Sequence, residues 1–366
     1  MSTLMNIYGS KITLNKGFGE VVYDDCGNKY IDLVCGLGSC IVGHANKKVS
    51  KAIYEQSKKI VNPSNFYNSQ AKQLLSDELE KITKLPNVFL SNSGTEANEA
   101  AIKLAKAVTG KNEIISTKNA FHGRTLGSLS ATWKDDYKKD FKPLIEGFDF
   151  VDFNSVDAIK EKISKKTAGI ILEPIQGEAG VIVPNKDYLK EVKEVCVKND
   201  ILLILDEVQT GCGRTGKFFC YEHSKIIPDI VTTSKGLANG LPIGATIAQE
   251  DLLFKKGQHG TTFGGNSVSC AAALKTIEII QKEMPFVEEK VKYFEKKLNL
   301  ANVIQNFWGK GFIIGIKPKV TDFGLKCFKN GLIVNQINEE VIRLLPPITI
   351  SKLQLKNAVQ LMGEVV

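Results

Sequence analysis

The sequence predicts an α/β fold, a large domain with a mostly parallel central sheet plus a smaller α/β C-terminal domain. Short apolar runs recur between about residues 113 and 248, and helical stretches separate several of them. Runs that are apolar at every position suit parallel strands covered on both faces. The length, 366 residues, is more than one ordinary core needs. Beyond about residue 265 the helices and strands come in smaller units.

Residues 1–40 read as extended and loop-rich, with strand-like Glu20–Tyr23 and Lys29–Val34 around the turn Asp25-Cys-Gly-Asn28. Helical periodicity follows at 47–60, 69–84 and about 95–108. Strands are expected at Glu113–Ser116, Phe148–Asp152, Gly169–Leu172, Ile201–Leu205, Ile230–Thr232 and Gly244–Ala248, with helices near 155–165 and 186–199. A helix at about 265–283 reads as a bridge, followed by another helix, strands near 311–316 and 331–334, and a last helix near 351–365. The expected division is an N-terminal segment 1–45 that packs with the small domain, a large domain 46–265, and a bridging helix with small domain 266–366.

The chain is 43% hydrophobic and 24% charged, an ordinary globular composition. No apolar stretch approaches the roughly 20 residues of a membrane span. Met1–Tyr8 shows no basic region followed by an apolar core, so no signal peptide is expected. Eight scattered cysteines without a C-x-x-C pair read as reduced thiols in a cytoplasm, and four histidines argue against a histidine-rich metal site. The net charge of +8 comes from lysines interleaved with acids, so nucleic acid is not an expected partner.

Only three of the 48 basic side chains are arginine: Arg124, Arg214 and Arg343. Lysine serves nearly everywhere else, and arginine alone offers a planar fork for carboxylates. All three sit among glycines or apolar residues. A structural ion pair is the first expectation for Arg214.

Several motifs carry chemistry. Ser91-Asn-Ser-Gly-Thr-Glu-Ala-Asn98 opens a helix, so Ser93, Gly94 and Thr95 suit either a phosphate cradle or a simple N-cap. Phe121-His-Gly-Arg-Thr125 offers a ring face and an arginine on a glycine turn. In Leu172-Glu-Pro-Ile-Gln-Gly-Glu-Ala-Gly180, Glu173 and Glu178 each read by themselves as solvated loop acids. His259–Asn266 is a second helix start rich in small residues and hydroxyls. Asp206 and Lys235 each end a probable buried strand. A carboxylate and an amine at neighbouring strand ends suit either an ion pair or a pyridoxal phosphate site. In a parallel sheet that edge is where ligands collect.

Taken in order with Thr261-Thr-Phe-Gly-Gly-Asn266 and Arg343-Leu-Leu-Pro-Pro347, these motifs resemble the class III aminotransferases of the fold-type I pyridoxal-phosphate enzymes. Within them the chain looks most like the acetylornithine aminotransferases. The resemblance runs from Tyr8-Gly9 to beyond Pro347. It implies pyridoxal 5′-phosphate as cofactor, bound through a Schiff base to Lys235, with Asp206 at the pyridine nitrogen. Gln209 would reach the phenolic oxygen, Phe121 would stack on the ring, and Ser93, Gly94 and Thr95 would hold the phosphate. Thr262 would reach the cofactor of the other subunit in a homodimer with shared active sites. Arg124 would bind a distal carboxylate, Arg343 the α-carboxylate of 2-oxoglutarate, and Glu178 would mask Arg343.

The implied reaction moves nitrogen from N-acetylornithine to 2-oxoglutarate, giving N-acetylglutamate 5-semialdehyde and glutamate in arginine biosynthesis. Leu37 stands where ornithine aminotransferases usually carry a tyrosine, which suits an acylated amine. Succinylornithine, N-succinyl-diaminopimelate and 4-aminobutyrate remain open as donors. Thr232-Thr-Ser-Lys235 and Leu237-Ala-Asn-Gly240 depart from the family's commoner alanine and glycine-rich run, and touch no required chemical group. An aminomutase-type isomerase fits less well, because Arg343 and Glu178 would have no task. A dinucleotide-dependent oxidoreductase lacks its G-x-G-x-x-G turn, and a non-enzymatic binding protein would not need the full catalytic set.

Overall fold

The structure, a computed structural model, describes residue 5, residues 7–9 and residues 12–365. Its centre is a seven-stranded sheet in the order Asn87–Ser91, Gly244–Ala248, Ile230–Thr233, Leu202–Asp206, Thr167–Leu172, Glu113–Thr117, Phe148–Val151. Gly244–Ala248 runs antiparallel to both neighbours and the other pairings in the body of the sheet are parallel. All six expected strands form here, joined by the strand-like 88–90 segment.

These strands lack polar/apolar alternation because both faces are buried. On one face Ala101, Leu104 and Ala105 of the helix Gly94–Thr109 pack with Ile114, Ile171 and Ile204. On the other, Val192 and Cys196 of Tyr188–Asn199 pack with Ile170, Leu172, Leu203 and Leu205. Small alanines let the first helix lie close to the sheet. Ser93 caps its start and Gly110, at φ 68°, ends it.

A second, antiparallel sheet follows the order Ile304–Lys310, Ile313–Pro318, Ile342–Leu344, Asn335–Gln336. Its first strand escapes sequence reading because it is an edge strand, exposed or half-buried at all but its first residue. A third sheet joins Leu14–Phe18, Val21–Asp24 and Lys29–Asp32 to the C-terminal strand Leu332–Ile333. The two ends of the chain are therefore stitched together by main-chain hydrogen bonds.

One expectation is corrected. The bridge and the helix after it are a single helix, Ser267–Asn299, that continues through Pro285. Proline removes one ladder hydrogen bond and costs about 3 kcal/mol in a helix interior. Beyond it, Val287, Val291, Phe294 and Leu298 are buried, and each such side chain contributes about 1.5–3 kcal/mol on burial. Packing outweighs the break. Replacing Pro285 by alanine should therefore raise the thermal unfolding midpoint, by the equivalent of about 1 kcal/mol or more. A lowered midpoint in calorimetry would show that the packing depends on the proline's own geometry.

Candidate active site

Leu202–Asp206 and Ile230–Thr233 are neighbouring parallel strands, with Asp206 in register with Thr232. The chain leaves both at the same edge, which brings Asp206 and Lys235 to one cavity of about 400 Å³. The cavity is also lined by Ser93, Gly94, Thr95, Phe121, Arg124, Glu178 and Gln209.

Asp206 is only 4% exposed. Its Oδ2 accepts from His122 Nδ1 and Asn98 Nδ2, both at 2.7 Å, and its Oδ1 accepts from the Val208 N–H at 3.0 Å. Asn98 is oriented in turn, because its Oδ1 accepts from the Thr232 hydroxyl at 2.7 Å. A carboxylate has about four acceptor positions, so three donors leave one on Oδ1 for a ligand. Lys235 sits at φ 30°, at the head of a short turn that Leu237 N–H closes onto Ser234 O at 2.7 Å. Burial pushes its amine below the ordinary lysine value; Glu178, Asp206 and Glu173 oppose that and Arg343 adds to it.

At the cavity's other end, Ser93 Oγ accepts from Glu96 N–H at 3.3 Å. The capping reading of Ser93 therefore holds. The N–H groups of Gly94 and Thr95 have no acceptor among the described residues, and they lie at the positive end of the helix. A Cβ on Gly94 would stand 2.6 Å from a Val208 methyl, so only glycine fits. Free amides, a wall without side chain and a helix dipole make an anion cradle.

The third part is a closed ion pair. Arg343, 1% exposed, donates from Nη1 to Glu178 Oε1 at 2.8 Å and to Gln209 Oε1 at 3.0 Å. Asn335 Oδ1 accepts from its Nε and Nη2 at 3.2 and 2.9 Å. Burial pushes the Glu178 carboxyl up, but Arg343 and Lys235 outweigh it and leave it below the usual range. Arg124 is different. It is exposed at the mouth, and its guanidinium lies 3.5 Å over the Tyr137 ring. Tyr137 meets Phe121 edge-on at 6.0 Å.

Three expected residues lie off the cavity lining: Arg343, which sits behind the lining residues Glu178 and Gln209, and Leu37 and Thr262. Leu37 is 45% exposed, and its loop reaches the cavity only at Ser39. Thr262 is exposed and its carbonyl accepts from Asn62 Nδ2 at 3.2 Å. Its neighbour Thr261 comes closer, accepting from the lining residue Asn92 at 3.2 Å. Two plain readings are corrected. Glu173 is no solvated loop acid: it is buried, and its carboxylate accepts from the N–H groups of Phe121 and Gly177 at 3.0 and 3.4 Å. Arg214 has no acidic partner among the described residues. It donates instead to backbone carbonyls of Phe312, Pro346 and Gly38.

His122, Asn98, Asn335 and Tyr137 are absent from the sequence-derived site. Asn98 left one readable signal, a lone amide on an alanine-rich buried helix face. Asn335 left none, because its partner Arg343 belongs to another strand.

Residues 6–366 match the family Aminotransferase class-III. The chain belongs to that family. It is 45% identical to a putative LysW-aminoadipate semialdehyde/glutamate semialdehyde transaminase of Pyrococcus horikoshii, over 95% of this chain and 94% of that protein. It is 42% identical to an acetylornithine aminotransferase of Clostridium acetobutylicum, over 99% and 98%. Among solved structures, the acetylornithine aminotransferase of Elizabethkingia anophelis superposes with a TM-score of 0.87 at 30% identity, covering 100% of this chain and 96% of that one. The ornithine aminotransferase of Toxoplasma gondii does so with 0.95 at 28%, covering 99% and 92%. This class-III chain is thus an aminotransferase with the fold-type I architecture, and pyridoxal phosphate is its cofactor. The cavity fits that group: free amides for a phosphate, one open acceptor on Asp206, and an amine with a depressed pKa.

Glu173 carries a consequence for pH. Burial, then the neighbouring Asp206 charge, push its carboxyl from 4.5 up to about 8, against the Phe121 N–H and Lys235. The folded protein then holds this proton more tightly than the unfolded chain does. Glu173's contribution is therefore most favourable below about pH 4.5 and is lost as pH rises towards 8. Glu173→Gln should flatten the fall in stability between about pH 4.5 and 8, read from denaturant melts. An unchanged slope would assign it to Glu207, which burial raises to about 7.

Proposed function

We propose that this enzyme transfers the terminal amino group of N-acetylornithine to 2-oxoglutarate, yielding N-acetylglutamate 5-semialdehyde and glutamate, a step of arginine biosynthesis in the cytoplasm. The observation that carries the reading is the Arg343–Glu178 pair at the cavity, 2.8 Å long and backed by Gln209. A donor presenting its ω-amine brings no carboxylate next to the reacting carbon, and Glu178 then covers Arg343. A 2-oxo acid does bring one, and its carboxylate takes Glu178's place on the fork. Arg124, free of acids at the mouth, takes the distal carboxylate of either substrate. One site thereby serves two substrates of different charge in alternation.

Bound pyridoxal phosphate supplies an electron-withdrawing ring that accepts the electron pair left when a proton leaves the carbon bearing the amine. Asp206 holds the ring nitrogen in its protonated form, and His122 and Asn98 keep the carboxylate aimed. Phe121 covers one face of the ring. The Gly94 and Thr95 amides, with Ser93, take the phosphate. Gln209 reaches the phenolic oxygen from its place beside Arg343. The Lys235 amine would hold the cofactor, and a free Lys235 amine is placed to take the proton from the substrate carbon. Its depressed pKa leaves more of the amine in the basic form that step requires.

The second subunit enters through the loop of Thr262. Asn65 ties this loop to Phe66 and Tyr67 by donating to Thr261 O at 2.7 Å and Gly264 O at 3.3 Å. Phe66, Tyr67 and Phe263 are all exposed there, beside the phosphate end of the cavity. An apolar patch of this kind suits a homodimer interface in which Thr262 contacts the partner's cofactor.

A second reading comes from the relatives named for LysW-bound semialdehydes. It keeps a semialdehyde as the carbonyl counterpart of the amine and differs in the group that name calls LysW.

Two measurements test the reading. The purified protein with pyridoxal phosphate should show an absorption band near the visible edge that borohydride removes. Lys235→Ala should lack it and lose about 10²–10⁴-fold in rate; a colourless wild type would sink the proposal. In a donor panel with 2-oxoglutarate, N-acetylornithine should outpace ornithine and 4-aminobutyrate in kcat/KM. Faster turnover of either free amine would overturn the substrate assignment.

A further inference from the structure

Of the three arginines, Arg214 alone has no substrate to bind. Its side chain is 1% exposed, and burial draws its pKa down to about 10. Keeping a charge there without a carboxylate is costly, and an apolar residue would fill the same volume at less expense. The hydrogen bonds show what the charge does. Nη1 donates to Phe312 O at 3.1 Å and to Pro346 O, and Nη2 donates to Gly38 O at 3.5 Å. The Arg214 carbonyl also accepts from Phe312 N–H at 2.8 Å. A Cβ on Gly311 would lie 2.5 Å from that carbonyl, so the two segments are in close contact.

Phe312 and Pro346 flank one end of a two-strand ladder. Ile314 pairs with Leu344 and Gly315 with Arg343, so Arg343 sits three residues along the chain from the Pro346 carbonyl that Arg214 grips. The loop that carries Arg214 begins directly after Asp206 and includes Gln209. Gly38 belongs to the loop that reaches the cavity at Ser39. One guanidinium thus ties the segment after Asp206 to the strand bearing Arg343 and to the loop of Ser39.

We propose that Arg214 is a positioning residue for carboxylate recognition: by clasping the Phe312, Pro346 and Gly38 carbonyls it sets the place of Arg343 opposite Glu178 and Gln209. Three acceptors from three segments in one region suit a rigid planar fork. An ammonium group carries the charge but not that geometry. The chain's use of lysine at nearly every other basic position fits this division of labour. The inference rests on Arg343 as the keto-acid carboxylate site.

The test uses Arg214→Lys and Arg214→Met in the full-length, cofactor-loaded enzyme. The readouts are the cofactor absorption band, the thermal midpoint, calorimetric binding of glutarate (a dicarboxylate that cannot react), and KM for 2-oxoglutarate and for the amine donor. Arg343→Lys is the reference. Both Arg214 variants should keep the band. They should weaken glutarate and raise KM for 2-oxoglutarate by about tenfold or more, as a small misplacement does, while KM for the donor moves far less. Equal losses for both substrates, or a lowered midpoint with an unchanged KM ratio, would overturn the proposal. Should Arg214→Met fail to fold, Arg214→Lys decides by the same comparison. If Arg343→Lys itself leaves glutarate binding intact, the assigned gate fails before the positioning role is at issue.

Discussion

A buried carboxylate at the end of a parallel strand is the constraint around which the site is built. Asp206 cannot be left in the interior without donors, since an unpaired buried charge costs several kcal/mol. The donors come from separated parts of the chain: Asn98 from the helix after the first sheet strand, His122 from the loop after Glu113–Thr117, and Val208 from its own loop. Each sits where it does because the sheet and its covering helix are already packed. Satisfying one oxygen pair thereby fixes the relative positions of the free Gly94 and Thr95 amides, the Phe121 ring and Lys235. The acceptor position left over on Oδ1 is the one proposed for the ring nitrogen.

The same interior crowds charge. Asp206, Glu173 and Glu178 share a cavity with Lys235, with Arg343 buried behind Glu178, and the fate of each acid is set by its nearest partner. Glu178 is paired with Arg343 and stays below the carboxylate range, while Glu173 has only backbone amides for direct partners and rises to about 8. Glu173 also joins two walls of the cavity, since it receives N–H groups from Phe121 on one side and Gly177 on the other. Phe121 and the loop of Glu178 are therefore mechanically linked through one buried carboxyl whose pKa burial raises.

The three arginines divide by environment. Arg124 is exposed and rests on an aromatic face, so its fork edge is open to a substrate. Arg343 is buried but paired with an acid that can leave, so it is available on demand. Arg214 is buried among backbone carbonyls that cannot leave, so it can only hold structure. Identical side chains are thus left open, paired with an acid, or held by carbonyls according to what surrounds them.

Sequence alone determined a good deal. Uniformly apolar runs announced strands covered on both faces, and all six expected strands lie in the central sheet. Local motifs brought Ser93, Gly94, Thr95, Phe121, Arg124, Glu178, Asp206, Gln209 and Lys235 to attention, and all nine line one cavity. Such signals are local: a strand end, a glycine turn and a helix start are each written within a few residues. Other features are not local. Whether Ile304–Lys310 is a strand depends on a partner further along the chain, and whether the helix survives Pro285 depends on what it packs against. The Phe121 contact of Glu173 and the carbonyl clasp of Arg214 join residues distant in sequence, and the Asn335 contact to Arg343 depends on the pairing of their two strands. Hydrogen-bond partners at such distances are chosen by packing, because burial leaves each polar group only the neighbours that the fold supplies. The chain's chemistry was therefore legible residue by residue, while the state of each charged group was decided only by the tertiary structure.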